Sequence, residues 1–331
     1  MRWGKMDKWL YADITHFSQF YQYLNEQDNI PGFADDITWD FVSNVNSITR
    51  NATLYGALES MKFADFAAWS EVRFSAMVKT AMTLAVTAIF KGINAVKIEL
   101  TVNGLQVEAH YQDDEIQNVH KPLLQQLSKI HAANPQRRTI VFLSAPPGTG
   151  KSTLTSFWEY LSRHDPCLPE IQTLPMDGFH HYNSWLDTHN LRAYKGAPET
   201  FDVGKLAQNL RQIREGEGCW PQYDRQKHDP VEAAITVTAP IVIVEGNWLL
   251  RDDERWRALA AFCDYSLFIR APANALRTRL VGRKLAGGLS RADAEAFYER
   301  TDGPNVRRVL ETSRPGDLTL EMLESGEYRI A

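Results

Sequence analysis

Long hydrophobic runs are missing from this chain of 331 residues. Its most apolar stretch, residues 81–90, has Lys79 and Lys91 beside it. That is too short to cross a bilayer and reads as a buried helix. Residues 1–10 are polar and aromatic, with no apolar core of a secretory signal. Cysteine is scarce: Cys167, Cys219 and Cys263 are widely separated and make no metal-ligand spacing. They read as reduced, half-buried thiols of a cytoplasmic protein. Excess charge of one sign is missing too. A net charge of −5 gives no reason to expect wholesale binding of nucleic acid or an anionic membrane. Any phosphate chemistry must come from a local site, in a chain long enough for one large or two modest domains.

What is present divides into two grammars. Residues 1–95 read as helices. Asp35 and Asp36 precede an apolar-periodic run with Ile37, Phe41, Val45 and Ile48. Residues 64–90 place Phe66, Trp69, Phe74, Met77, Val78 and Ala81 at three- and four-residue spacings, a stripe that reads as core. Pro31-Gly32 and Gly92 punctuate the ends. From residue 96 the pattern alternates, breaks at Asn103-Gly104 and alternates again to Tyr111. This predicts a β-hairpin, because a type I′ turn needs positive φ at both central positions. A linking helix follows through Leu123, Leu124, Leu127 and Ile130, with Pro122 in its first turn. Residues 96–135 are thus expected to form a hairpin plus helix, and 136–331 a domain of alternating strands and helices around a parallel sheet.

Within that domain, Thr139-Ile-Val-Phe-Leu-Ser144 reads as a buried strand. Ala145-Pro-Pro-Gly-Thr-Gly-Lys-Ser152 follows, then a helical period through Leu154, Phe157, Trp158 and Leu161. This order of strand, glycine-bearing loop, Lys-Ser and helix makes a phosphate cradle. Loop N–H groups converge on the phosphates and the helix dipole favours their charge. Pro147, Gly148, Thr149, Gly150, Lys151, Ser152 and Thr153 are the expected nucleotide-binding residues, Lys151 reaching the β- and γ-phosphates and Ser152 ligating Mg²⁺. One position departs from the pattern: Ala145 stands where the first glycine is expected. A positive φ there would cost an alanine on the order of 1 kcal/mol, unless Pro146-Pro147 hold the turn in a shape that alanine accepts.

Residues 171–176 read as the second strand, ending at Asp177-Gly-Phe-His180. Ligands of open α/β sheets sit beyond the carboxyl ends of strands, so Asp177 is expected to face the γ-phosphate and take the proton of an attacking hydroxyl. Taken alone, Asp177-Gly178 reads better as a turn between strand and helix. The motifs then run in order: Met176-Asp-Gly-Phe-His180, Lys195-Gly-Ala-Pro-Glu-Thr-Phe-Asp202, Pro221-Gln-Tyr-Asp-Arg-Gln-Lys-His-Asp-Pro230 and Ile241-Val-Ile-Val-Glu-Gly246. With the phosphate loop they resemble the uridine kinase, phosphoribulokinase and bacterial pantothenate kinase superfamily, and within it the YggC-type kinase family, over roughly residue 96 to the C-terminus. The resemblance implies an α/β, three-layer P-loop NTPase fold and an ATP- and Mg²⁺-dependent kinase of a nucleoside, vitamin or sugar-like metabolite. It makes Asp177 the general base and Glu245 the acid that organises Mg²⁺. His180, Tyr223 and His228 become acceptor-binding residues, while Lys195, by its charge, reads either as an acceptor-binding residue that neutralises acceptor or phosphate charge or as a solvated loop lysine. Uridine kinases carry Asp where this chain has Gly196, which weakens a ribonucleoside reading.

Arg279 and Arg283 lie four residues apart on one predicted helix face, suited to a lid that stabilises charge during transfer. Gly287-Gly288 would serve as hinge or helix stop. His180, His181 and His189 fit no familiar zinc spacing. Asp302-Gly-Pro-Asn305 resembles a YggC-type segment and has no chemical role in this reading. At the other end, Gly4-Lys-Met-Asp-Lys-Trp-Leu-Tyr-Ala-Asp-Ile and Pro31-Gly-Phe-Ala-Asp-Asp-Ile-Thr-Trp-Asp-Phe resemble the C-terminal half of the all-helical mannitol operon repressor-like (YggD-type) family. One expectation is that residues 1–95 are the tail of a neighbouring reading frame joined to a kinase. The partner expected is a small hydroxylated acceptor, without nucleic acid or membrane, and a homodimer is among the assemblies considered. The rival reading is a nucleotide-dependent regulator or ATPase that uses the helical segment as a partner-binding arm.

Overall fold

The computed structural model describes residues 95–102, 105–216 and 218–331. The helical reading of residues 1–94 and the Asn103-Gly104 turn lie outside them. Strands β1 (Ala95–Val102) and β2 (Leu105–Gln112) pair in a sheet of their own. Alternation gives them one buried face, with Ile98, Leu100 and Val102 of β1 and Ala109 and Tyr111 of β2 turned inward. The chain then winds through α1 (Asp113–Glu115), a wider π-type turn at Ile116–His120, and α2 (Lys121–Ala133). In the wide turn the N–H of Lys121 reaches back five residues to the carbonyl of Ile116. Pro122 sits in the first turn of α2, as its missing N–H allows, and Leu123, Leu124 and Leu127 are buried.

Strands and helices alternate from there. β3 (Thr139–Ser144), α3 (Lys151–His164), β4 (Ile171–Pro175), α4 (Asn183–Thr188) and α5 (Val203–Glu215) lead into the hairpin β5 (Gly218–Asp224) and β6 (Asp229–Val237). β7 (Ile241–Gly246), α6 (Glu254–Arg257), β8 (Tyr265–Arg270), α7 (Ala273–Ala286), α8 (Arg291–Phe297), α9 (Gly303–Thr312), β9 (Leu318–Met322) and β10 (Tyr328–Ile330) complete the chain. The main sheet has the order β10-β9-β8-β3-β7-β4. Its pairs are parallel except β9–β10, so the parallel central sheet expected from sequence carries one antiparallel pair at its edge. A parallel neighbour needs a long crossover, whereas Gly326, at φ +91°, lets the last strand fold straight back on β9.

Both faces of the sheet are covered. Val141, Leu143, Ile241, Ile243 and Leu267 pack with Leu154, Phe157 and Trp158 of α3 and with the β1–β2 face. Ile140, Phe142, Val242 and Val244 pack on the other side with Leu206 and Leu210 of α5 and with Trp220, Trp248 and Trp256. Strands buried on both faces have no polar alternation, which is why β3 and β7 read as unbroken apolar runs. Among the described residues no helix is long and apolar enough to cross a membrane. Cys167 and Cys219 are exposed rather than half-buried, Cys167 lying in the loop after α3 and Cys219 on the β5–β6 hairpin outside the main sheet.

The registers end level, with Ser144 opposite Gly246 and Pro175 opposite Glu245. The segments leaving β3, β7 and β4 therefore emerge together at one edge. The β5–β6 hairpin closes over the turn that follows β4. Trp220 Nε1 donates to the Pro175 carbonyl at 2.9 Å, and a Cβ added to Gly178 would stand 2.1 Å from the Pro221 carbonyl oxygen. Gly178→Ala is accordingly expected to lower stability by about 3 kcal/mol, since the clash is with backbone. An unchanged thermal unfolding midpoint would show that the hairpin is not seated there.

Candidate functional site

The phosphate loop leaves β3 and enters α3. Gly148 and Gly150 take φ of +90° and +81°, values that side chains resist. Ala145 is not among the positive-φ residues: it is fully buried, and its N–H donates to the Gly246 carbonyl at 3.2 Å. The missing glycine thus carries no backbone strain. Thr149 ties the loop internally, its Oγ1 donating to the Pro146 carbonyl at 3.0 Å. Gly150 caps α3, so Lys151, Ser152 and Thr153 form its first turn.

The neighbouring strand ends supply two carboxylates. Glu245 ends β7 nearly buried, and Ser152 Oγ donates to its Oε1 at 2.8 Å. Burial pushes the Glu245 carboxyl upward, opposed by Lys151 and reinforced by the negative charge of Asp177. Asp177 sits in the 3₁₀ turn Met176–Phe179 that follows β4. His180 donates Nδ1–H to the Asp177 carbonyl at 2.8 Å; the partner can only accept, which fixes the tautomer. Burial lowers its pKa, against the pull of Asp177. Its ring lies 3.9 Å from that of Phe201 and 5.2 Å from that of Tyr223. Burial and the charges of Asp177 and Asp229 push the Tyr223 phenol up to about 12. Asp177, His180, Tyr223 and Glu245 are therefore one electrostatic neighbourhood beside the phosphate loop.

Other predicted residues are used differently. Lys195 is not a free charge for a ligand. Its Nζ donates to Asn183 Oδ1 at 2.6 Å and to the His228 carbonyl at 2.5 Å, and lies 3.7 Å from Asp229. It ties three loops, and burial lowers its pKa against the charge of Asp229. His228 is exposed in the β5–β6 turn at φ +55°, and it is its carbonyl that engages Lys195. Arg279 reaches the phosphate loop: Cβ atoms built on Gly150 and Gly326 would lie 3.2 and 3.3 Å from its guanidinium nitrogens. Arg283 instead acts on Asp302, whose carboxyl burial raises while Arg283 and Lys284 draw it down. The two arginines do not converge on one point. Gly287 and Gly288 form a helix stop, with Leu289 N–H on the Lys284 carbonyl and Gly288 N–H on that of Leu285. His181 and His189 stack on the two sides of Trp185, each at 3.7 Å.

Several residues complete the site without having been singled out for it. Tyr328 of β10 donates its hydroxyl to the Thr149 carbonyl at 2.5 Å. Trp248 Nε1 holds the Gly196 carbonyl at 3.0 Å, and the buried Asn305 amide lies 3.7 Å from where a Gly196 side chain would begin. The Arg225 charge is felt by both Glu245 and Tyr223. Arg225 and Asn305 stand inside motifs already noted; for Tyr328 no local signal exists.

The chain has relatives among known proteins. YggC of Escherichia coli (strain K12) is 71% identical over 232 residues, covering 70% of this chain and 98% of that protein. The chain belongs to the YggC family. The crystal structure of a "putative fructose transport system kinase" from Silicibacter sp. TM1040 is 32% identical with a TM-score of 0.57, over 61% of this chain and 98% of that one. Pantothenate kinases are among the more distant relatives. YggC-family membership therefore carries a P-loop kinase fold. Residues 2–94 match the family model described as "Mannitol repressor". Fumarase E of Shigella flexneri is 82% identical over 88 residues, which are 27% of this chain; the chain spans about half (52%) of that protein's length.

Because burial raises the Glu245 carboxyl in the folded state, the neutral form favours the fold at acid pH. That contribution lapses as pH rises through the raised value. Glu245→Gln lacks this titration. Its unfolding midpoint, relative to wild type, should rise as pH climbs above the ordinary carboxylate range. A difference constant with pH would show that burial does not act on this carboxyl.

Proposed function

We propose that the chain transfers the γ-phosphoryl group of ATP, as its Mg²⁺ complex, to a hydroxyl of a small metabolite. The observation that carries this reading is a pair of carboxylates at neighbouring strand ends. Glu245 is bonded to Ser152 of the phosphate loop, and Asp177 is near enough to act on its ionisation. The Ser152 hydroxyl and Glu245 carboxylate are hard oxygen donors, which suits Mg²⁺. Among the described residues no three His, Cys, Asp or Glu side chains gather, so the phosphates would complete the ion's shell. Bound Mg²⁺ would neutralise charge on the transferring group.

The chain's own residues divide the remaining work. Loop N–H groups and Lys151 grip the phosphates. Asp177 accepts the proton of the attacking hydroxyl, whose oxygen bonds to the γ-phosphorus as the bond from that phosphorus to the bridging oxygen breaks and ADP leaves. His180, with Nδ1–H committed, keeps its Nε2 lone pair for a hydroxyl. The Tyr223 phenol stays protonated at neutral pH and can donate. Arg279, beside Gly150, adds positive charge at the phosphate end. The pocket argues against a ribose held by a carboxylate at position 196. Gly196 has φ of +99°, a conformation an aspartate would resist, and its loop is fixed by Trp248.

A screen of nucleosides, pantothenate-like vitamins and sugars for acceptor-dependent ADP release tests the assignment, with the signal expected outside the nucleosides. ADP release that no acceptor alters would favour the regulator or ATPase reading. Asp177→Asn is expected to slow transfer by about 10²–10⁴-fold while leaving the Mg·ATP affinity within about twofold of wild type. Loss of nucleotide binding would move Asp177 out of the proposed role.

A further inference from the structure

A closed circuit of buried hydrogen bonds surrounds the outer side of the phosphate loop. The Tyr328 hydroxyl donates to the Thr149 carbonyl at 2.5 Å, and the backbone N–H of Tyr328 donates to Glu115 Oε1 at 2.8 Å. The same Oε1 lies 3.1 Å from His120 Nε2, and His120 Nδ1 accepts from Trp158 Nε1 at 3.1 Å. Indole N–H can only donate, so His120 must present its lone pair at Nδ1 and its proton toward Glu115. Trp158 belongs to α3, the helix that the phosphate loop begins, which closes the circuit. His120 and Trp158 are fully buried, and Glu115 and Tyr328 nearly so. Tyr111 stacks on Phe157 at 3.8 Å with nearly parallel rings, and His120 meets Phe157 edge-on.

We infer that Tyr328, seated by Glu115, is a positioning residue for the phosphate loop, and that the segment ahead of β3 is thereby part of the nucleotide site. The inference rests on the phosphate-binding reading of that loop. In a planar trans peptide the C=O and N–H point in opposite directions. Fixing the Thr149 carbonyl outward therefore aims the Gly150 N–H inward, where a phosphate oxygen would lie. The Thr149–Gly150 peptide needs such a clamp. It joins a loop with positive φ at Gly148 and Gly150, and glycine leaves a peptide free to rotate. Thr149 Oγ1 on the Pro146 carbonyl holds the adjacent turn, and burial of the phenol keeps water from competing for the Thr149 oxygen.

Direct measurement of Mg·ATP binding by calorimetry on the full chain, alongside unfolding midpoints, tests this. Tyr328→Phe keeps the ring and loses only the hydroxyl; it is expected to bind Mg·ATP about tenfold more weakly, the loss of one well-placed hydrogen bond. Glu115→Ala should weaken binding similarly. Glu115→Gln, whose amide oxygen still accepts from both partners, should stay within about twofold of wild type. A lowered midpoint with unchanged Mg·ATP affinity in Tyr328→Phe overturns the inference, and that variant decides alone where Glu115→Ala does not fold. A wild type that binds Mg·ATP yet phosphorylates no acceptor sinks the transferase reading only. A wild type that binds no Mg·ATP sinks both.

Discussion

The parallel hydrogen bonds that hold β7 between β3 and β4 determine where everything else can stand. Because Ser144 is level with Gly246 and Pro175 with Glu245, three chain segments leave the sheet side by side. One becomes the phosphate loop, one has just delivered Glu245, and one turns at once into Asp177. A slip of one residue in β7 would send Glu245 to the opposite face of the sheet and strand Ser152 without its partner. The slip is opposed by burial on both faces, since Ile241 and Ile243 belong to one core and Val242 and Val244 to the other. The placement of the polar groups is thus a by-product of apolar packing.

How much of this was legible before any coordinates depended on sequence distance. The phosphate loop, β3, β7 and the hairpin β1–β2 are local patterns: a glycine-bearing turn between a strand and a helix, doubly buried apolar runs, alternation. The strand-end positions of Asp177 and Glu245 were legible too, because each sits where a strand pattern stops. Tyr328 left no trace, since its partners Thr149 and Glu115 lie 179 and 213 residues away in the chain. Lys195 was visible as a charge but not as a tie. Nothing in a linear string shows that Asn183, His228 and Asp229 will meet it. The antiparallel last strand was missed for a related reason, that a three-residue strand after a glycine turn carries almost no periodicity.

The surroundings of Gly178 and Gly196 show how the loops beyond the sheet are held. Gly178 lets the β5–β6 hairpin rest on the turn beneath it, and that contact brings Tyr223 to within ring distance of His180. Gly196 has its carbonyl held by Trp248 and its open side toward Asn305. Arg251 and Arg308 lie against the Trp248 ring, at 5.7 and 5.6 Å, so two guanidinium groups help to hold the indole that fixes Gly196.

The π-type turn at Ile116–His120 sets a helical phase. An α-helix advances about 100° per residue, so groups five apart normally point in directions roughly 140° different. The widened turn absorbs the extra residue, and it is what lets Glu115 and His120 share one side while Leu123 and Leu127 still face the sheet. Insertion or deletion of a single residue here would leave α2 as good a helix as before. It would rotate Glu115 away from the last strand, and the segment ahead of β3 would lose its shared angle with β10 at the phosphate loop.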